Sequence, residues 1–287
     1  MFECDGAVRY EMKKTGRRPK VTSEIASRVK ELLTSTTTAT LGTTQQALER
    51  EDVFLGRTTI PRIARSERLS SQKIKLRPEI VFTERISRLR FGYAERVDPL
   101  SDDELWFLDE TGFNMHVSPL RCWSEVGNTP VQPVQPSKQA NLSVLMRITS
   151  DGIKHFTMKD GAYRAEDFVE FVQELAEQFP QLQHGEACLI MDNARIHHAR
   201  QATQYLADNN IKHIYLPPYS PDLNPIENVF GVLKKRYRSL GVPTTRPQML
   251  TQIRTAIEQF NHDMDLMPYY RRMRGFVHKA LIGESFN

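Results

Sequence analysis

From Leu105 to the C-terminus, short apolar runs alternate with stretches of helical period, and few architectures accommodate that rhythm. Leu105–Asp109, Leu142–Ile148, Ile153–Met158, Ala187–Asp192 and Ile211–Leu216 have strand length and composition. Between and after them, apolar residues recur at helical spacing: Phe168, Phe171, Val172, Leu175 and Phe179, then 198–209, 225–239, 247–261 and 266–282. Asp151-Gly152 sits between two apolar runs and predicts a hairpin. Arg121–Val126 also alternates and is predicted to be a strand ending at Gly127. Such a chain is expected to build an α/β domain, a mixed sheet with helices on its faces. With 287 residues and a mean hydropathy of -0.49 it has material for one large domain and one small one. No window approaches the ~18 apolar residues of a membrane span, and the N-terminus lacks a signal-peptide pattern. Cys4, Cys122 and Cys188 are far apart, which suggests neither a disulfide frame nor a zinc site.

The front of the chain differs in charge. Residues 1–98 hold 20 Lys and Arg against 13 Asp and Glu, a net of +7; residues 99–287 hold 19 against 22, a net of -3. A basic front end suits a polyanionic partner. Residues 1–20 read as a basic linker, punctuated by Gly16 and Pro19. Ile25, Val29, Leu32 and Leu33 form one helical stripe behind a Thr22 or Ser23 cap. A Thr-rich loop, 34–44, precedes predicted helices at Gln45–Arg50 and from about Thr58, with Pro61 tolerated in a first turn. Three short helices at 21–69, the last bearing Arg62, Arg65 and Arg68, are expected to form a helix-turn-helix DNA-binding module. Residues 70–99 are read as a connector and Pro99 as the boundary of a domain spanning 100–287.

Three acids stand at informative places. Asp109 and Asp192 each follow an apolar run, and Glu227 lies in Tyr219-Ser220-Pro221-Asp222-Leu223-Asn224-Pro225-Ile226-Glu227-Asn228 at the start of a predicted helix. Two magnesium ions about 3.5–4 Å apart can activate an oxygen nucleophile and relieve charge on a leaving oxygen. Mg²⁺ keeps several waters, so two or three carboxylates suffice. Asp109 is the choice for the carboxylate shared by both ions, Asp192 for its neighbour on the next strand, and Glu227 for the ligand from a helix. Each acid also has an ordinary reading. Strand-end aspartates start turns, Asp192-Asn193 fits a helix cap, and Asn224, Pro225 and Glu227 fit N-cap, N1 and N3 of a capping box. His197 and His198 read as contacts for phosphate or metal, or as surface histidines on a helix. Lys234 and Lys235 continue the Glu227 helix and are candidates for holding DNA phosphates.

Met191-Asp192-Asn193-Ala194-Arg195-Ile196-His197 and Leu216 through Phe230 resemble the signature blocks of mariner-superfamily transposases, and Leu108-Asp109-Glu110-Thr111-Gly112-Phe113 resembles their first acid block. The spacing of Asp192 and Glu227 is similar to that of the branch whose third acid is glutamate. The resemblance implies a ribonuclease-H-like core with Asp109, Asp192 and Glu227 as ligands of two Mg²⁺ or Mn²⁺ ions. It implies cut-and-paste DNA transposition, in which transposon ends are cleaved and their 3′-hydroxyls joined to target DNA at a thymine-adenine step. Such steps kink readily. The partners implied are terminal inverted repeats, target duplex and a second copy of the chain, without a membrane. The implied location is the nucleus in a eukaryote and the nucleoid in a bacterium. Gly16-Arg17-Arg18-Pro19-Lys20 resembles the family's basic hook, with Arg and Pro reordered; it implies minor-groove contacts by Arg17, Arg18 and Lys20. Fifteen residues precede the hook, too few for the family's first helix-turn-helix, so one module is expected, about 21–69. The alternatives are a domesticated, catalytically silent DNA-binding descendant and a general nuclease of the same fold.

Overall fold

The computed structural model describes residues 21–36, 38–72, 78–115, 124–129, 131 and 141–286. The chain divides between Arg77 and Pro78 into two compact units.

In the first unit three helices, α1 (Ser23–Thr34), α2 (Leu41–Arg50) and α3 (Thr59–Ser66), close around Val29, Leu48, Leu55, Ile60 and Ile63, all buried. Thr22 caps α1 by accepting the Ile25 N–H at 3.3 Å. The helix α2 starts four residues before the predicted Gln45. Thr40 and Thr43 cap it reciprocally, the Thr43 N–H reaching Thr40 Oγ1 at 3.1 Å and the Thr40 N–H reaching Thr43 Oγ1 at 2.8 Å. Threonines expected in a loop are therefore helix-starting residues. Arg62 and Arg65 are exposed three residues apart on α3, and exposed Arg68 lies beyond its end with φ +59°. The basic residues Arg17, Arg18 and Lys20 lie outside the described residues.

The second unit opens with α4 (Glu84–Val97), which packs on the last helix of the chain. Residues 84–97, assigned on sequence to a connector, thus fold with the second unit, and the division falls near 78 rather than at Pro99. The cause is an apolar stripe: Tyr93, Ala94 and Val97 are buried in the main core. Five strands follow, β1 (Leu105–Phe113), β2 (Leu142–Thr149), β3 (Gly152–Asp160), β4 (Cys188–Met191) and β5 (His213–Tyr215), in the order β3-β2-β1-β4-β5. β1, β2 and β3 pair antiparallel, while β4 and β5 add parallel to β1. The β2–β3 hairpin turns at Asp151-Gly152 as predicted, with Gly152 at φ +126°. A Cβ there would come within 2.9 Å of Asn261 Oδ1, which accepts the Ile153 N–H, so the turn requires glycine on two counts. Residues 121–123 of the predicted strand Arg121–Val126 lie outside the described residues. Its remainder, Ser124–Val126, enters a turn closed by the Asn128 N–H on Glu125 O at 3.0 Å and is not a strand.

Helices cover both faces. The helices α5 (Ala165–Gln178) and α6 (Arg200–Asp208) bury Trp106, Leu108, Leu189 and Met191 on one side. On the other side α4, α7 (Ile226–Ser239), α8 (Arg246–Asp263) and α9 (Met267–Leu281) bury Leu105, Phe107, Cys188 and Ile190. Alternate β1 residues thus feed opposite cores, as the two-residue period of a strand dictates. None of the helices among the described residues is long and apolar enough to cross a membrane.

Candidate active site

The last parallel pair between β1 and β4 is Leu108 with Met191. Asp109 and Asp192 are the next residues on each chain, so the two acids leave adjacent strands at the same level, where strands lie about 4.8 Å apart. Asp192 does close its strand. Asp109 does not; β1 runs on to Phe113 because its other edge stays paired with β2, Asp109 lying opposite Met146. By strand alternation Asp109 belongs to the face that α7 covers, and Glu110 to the other, where its charge is felt by Tyr163.

Asp109 is half-buried. Its Oδ1 accepts the Glu110 N–H at 2.7 Å and its Oδ2 the Asn224 amide at 2.9 Å. Burial pushes its pKa up to about 7, the charges of Asp192 and Glu227 push the same way, and the two hydrogen bonds oppose them. Asp192 behaves in the opposite sense. Hydrogen bonding to His197 holds its carboxyl below the usual carboxylate range, against some desolvation, aided by the Ala194 N–H on Oδ1 at 3.0 Å. His197 Nδ1 lies 3.0 Å from Asp192 Oδ1 and 3.1 Å from the Asp192 main-chain oxygen. Two acceptors at Nδ1 place the hydrogen there. His197 is not the surface helix residue that was one reading of the sequence: it is 3% exposed, packs on Phe168 at 4.6 Å, and sits in a turn before α6. His198 is exposed and stacks on Tyr215 at 4.2 Å.

Glu227 is the second residue of α7 and is exposed. The expected capping box does not form. Pro225 occupies the cap position without a side-chain cap bond, and the Asn224 side chain turns to Asp109 instead. Asn224 is 4% exposed and its Oδ1 is buried without a partner. It is a site residue that sequence reasoning took for a helix cap. Arg90 of α4 was missed as well. Its Nε donates to Ser220 Oγ at 2.9 Å and its Nη2 to Tyr219 O at 3.0 Å. Tyr219 is left-handed, φ +54°, so Arg90 fastens a strained turn five residues before Asn224. On α7, Lys234 follows Glu227 by two turns and borders Gly112–Asn114 at the end of β1, while Lys235 is exposed. Arg236 is engaged by Asp263 at 2.8 Å.

Among the described residues, no group of three or more acidic, His or Cys side chains is gathered closely enough to hold one metal ion. The donor set nevertheless has the character of a divalent-cation site. All three ligand candidates are hard oxygens, suited to Mg²⁺ or Mn²⁺ rather than zinc. The charges acting on Asp109 are those of two other acids, and a cation beside it would remove both its desolvation and its repulsion. If Asp109 must lose a proton to bind metal, Mg²⁺ titration near pH 6.5 is expected to release protons. Calorimetry in buffers of different ionisation enthalpy measures that release, and Asp109→Asn should remove it.

The family model of the DDE superfamily endonucleases matches residues 104–248, just over half of the chain. Curated proteins give no significant match. Among solved structures, the Mos1 transposase paired-end complex with the left transposon end is similar with a TM-score of 0.65 and 17% identity, covering 96% of this chain and 82% of that one. The Mos1 strand transfer complex matches with 0.64, 17%, 96% and 82%. The catalytic domain of Mos1 mariner transposase matches with 0.51, 16%, 76% and 100%. At such identities the likeness is one of fold, and the expected ribonuclease-H-like mixed sheet with a helical N-terminal region is the fold found. All three acids lie inside the matched segment, two at one level of adjacent strands and the third at the head of the covering helix: the chain belongs to the DDE superfamily endonucleases.

Proposed function

We propose that the chain is a cut-and-paste DNA transposase whose catalytic acids are Asp109, Asp192 and Glu227. The observation that carries this reading is the level pair Asp109 and Asp192, with Asp109 coupled electrostatically to Glu227 as well. Two Mg²⁺ or Mn²⁺ ions bound there would supply charge neutralisation at the attacking and leaving oxygens of an in-line phosphoryl transfer. Asp109 would hold both ions, Asp192 and Glu227 one each.

The remaining residues prepare those ligands. His197 keeps Asp192 ionised and fixes its rotamer, while Asn224 orients Asp109. The protein's part in each step is to hold phosphodiester and nucleophile in line, first water at a transposon end, then the freed 3′-hydroxyl at a thymine-adenine target step. Lys234 and Lys235 would hold phosphates beside the site, and Arg62, Arg65 and Arg68 would read or grip the end, together with Arg17, Arg18 and Lys20. Terminal inverted repeats are the DNA partner this reading requires, and pairing two ends requires two copies of the chain.

Asn224→Ala is expected to weaken Mg²⁺ binding by about 10- to 100-fold, the usual effect of losing a group that orients a ligand; isothermal titration measures it, and unchanged affinity would remove Asn224 from the site. The function itself is tested by incubating purified protein with Mg²⁺, a labelled transposon-end duplex and a supercoiled target. Joined product supports a transposase. Cutting without joining points to a nuclease, and binding without cutting to a DNA-binding descendant.

A further inference from the structure

Glu227, Gly231, Lys234 and Arg238 fall at i, i+4, i+7 and i+11 of α7, so they share one face of that helix. Glu227, Gly231 and Arg238 are exposed and Lys234 is half-buried. Lys234 lies about 10 Å along the helix axis from Glu227, and Arg238 about 6 Å further. β1 keeps pace: from Asp109 to Asn114, just beyond its end, the chain advances about the same 16 Å. The strip on α7 therefore starts at the acids. It ends in a cavity of about 160 Å³, lined by Lys234, Tyr237 and Arg238 of α7 and by Gly112, Phe113 and Asn114.

Two features set this face apart. The first is Gly231. Glycine inside a helix is destabilising relative to alanine, and close packing is its usual reason. A Cβ at Gly231 would meet no atom within 4 Å, so no contact within the described residues requires the glycine. It leaves bare helix backbone against which another chain can lie closely. The second feature is charge. Arg236 is engaged by Asp263 at 2.8 Å, whereas Lys234 and Arg238 have no ion-pair partner among the described residues. None of the residues lining the cavity is acidic. Its wall is fixed, since the Tyr237 hydroxyl donates to Asn114 O at 3.0 Å and the Tyr237 ring meets Phe113 edge-on at 5.2 Å. Two free cations about 6 Å apart, with bare backbone between them and the acids, suit a phosphodiester strand.

We infer that this strip is the track of the DNA strand whose phosphodiester is attacked. The strand crosses α7 at Gly231, and a phosphate beyond the scissile one settles between Lys234 and Arg238. The inference rests on the transposase reading and adds to it the path of the strand, with Gly231 and Arg238 as residues that position it. A transposon end and a target duplex share that chemistry.

Gly231→Leu in the full chain separates a track from a merely structural glycine, because the two readouts move in opposite directions. Melting temperature should rise by about 2–4 °C, since leucine favours the helix. Cleavage should fall about 100-fold, the effect of misplacing a reacting group by about 1 Å. Gly231→Ala should show the same rise with a smaller loss. Lys234→Gln combined with Arg238→Gln should lower the slope of log K against log salt by about 2 for a labelled mixed-sequence duplex. Loss of end cleavage in Gly231→Leu assigns the strip to the transposon end. Normal cleavage, with loss of joining from a pre-cleaved end, assigns it to the target. Unimpaired cleavage and joining by Gly231→Leu overturns the track and leaves the transposase reading standing, and so does an unchanged salt slope. A wild-type protein that neither binds nor cuts DNA overturns both. If Gly231→Leu lowers the melting temperature, or the wild type binds without cutting, the salt slope decides.

Discussion

Asp192→Asn is expected to abolish both end cleavage and strand transfer while leaving DNA binding unchanged. The side chain keeps its shape but loses the charge that holds a cation. Removing a ligand of that kind costs about 4 kcal/mol of transition-state stabilisation, roughly a 10³-fold loss of rate. The amide keeps one oxygen that can still accept the His197 Nδ1–H, and the Asp192 main-chain oxygen remains at 3.1 Å. Melting temperature should therefore change little. A gel assay of strand cleavage and joining, with DNA binding measured in parallel, separates the two effects. Loss of binding and cleavage together, with a lowered melting temperature, would mean that Asp192 is a structural residue.

Arg90→Met is the second large effect. Arg90 is 5% exposed, with hydrogen bonds to the Tyr219–Ser220 turn and a longer one to Val81 O at 3.4 Å, and its guanidinium lies 4.3 Å from the centroid of the Phe286 ring. Methionine preserves much of the stem but leaves Ser220 Oγ and Tyr219 O without their donor. Unsatisfied buried groups cost about 1–3 kcal/mol each, so a destabilisation of about 3 kcal/mol is expected by urea denaturation. The functional loss should exceed that expected from unfolding, because the freed turn leads into Asn224 and Glu227. Arg90→Lys should recover part of the stability and less of the rate, since a single ammonium cannot reproduce the planar fork. If the folded fraction of Arg90→Met cleaves DNA at the normal rate, the turn does not position the site.

Asp109 also gives the metal-free protein a characteristic pH response. Its pKa in the folded chain, about 7, is above the ordinary 3.8, so the folded state holds its proton more tightly than the unfolded state does. Stability from this group is full below about pH 4 and is lost as pH rises through 7. Melting temperature without metal should therefore fall between pH 5 and 8 relative to Asp109→Asn, and added Mg²⁺ should reduce the difference.

What the sequence revealed depended on how local the signal was. The strands and helices of the second unit follow from apolar periodicity, and the candidate acids were singled out because Asp192 and Glu227 stand in distinctive local blocks. The extent of β1 was misjudged because the residues after Leu108, Asp109-Glu110-Thr111-Gly112, read as a turn; pairing with β2 overrides that preference. Asn224 satisfies every local rule for a helix cap, and only the fold shows its amide reaching a residue 115 positions away. Arg90 lies 129 positions before the turn it holds and falls in the stretch read as a connector. His197 was one of a histidine pair with no local clue to which is buried. Asn224 and Arg90 are polar side chains whose partners are distant in sequence, a relation that periodicity cannot encode.

The proposed chemistry requires two cations that share Asp109. A crystal of the protein soaked in Mn²⁺ and measured at the manganese absorption edge tests it directly. Two anomalous peaks about 3.5–4 Å apart are expected, both within ligand distance of Asp109, one also reached by Asp192 and the other by Glu227. Manganese bound elsewhere, or at the site without Asp109, would contradict the account.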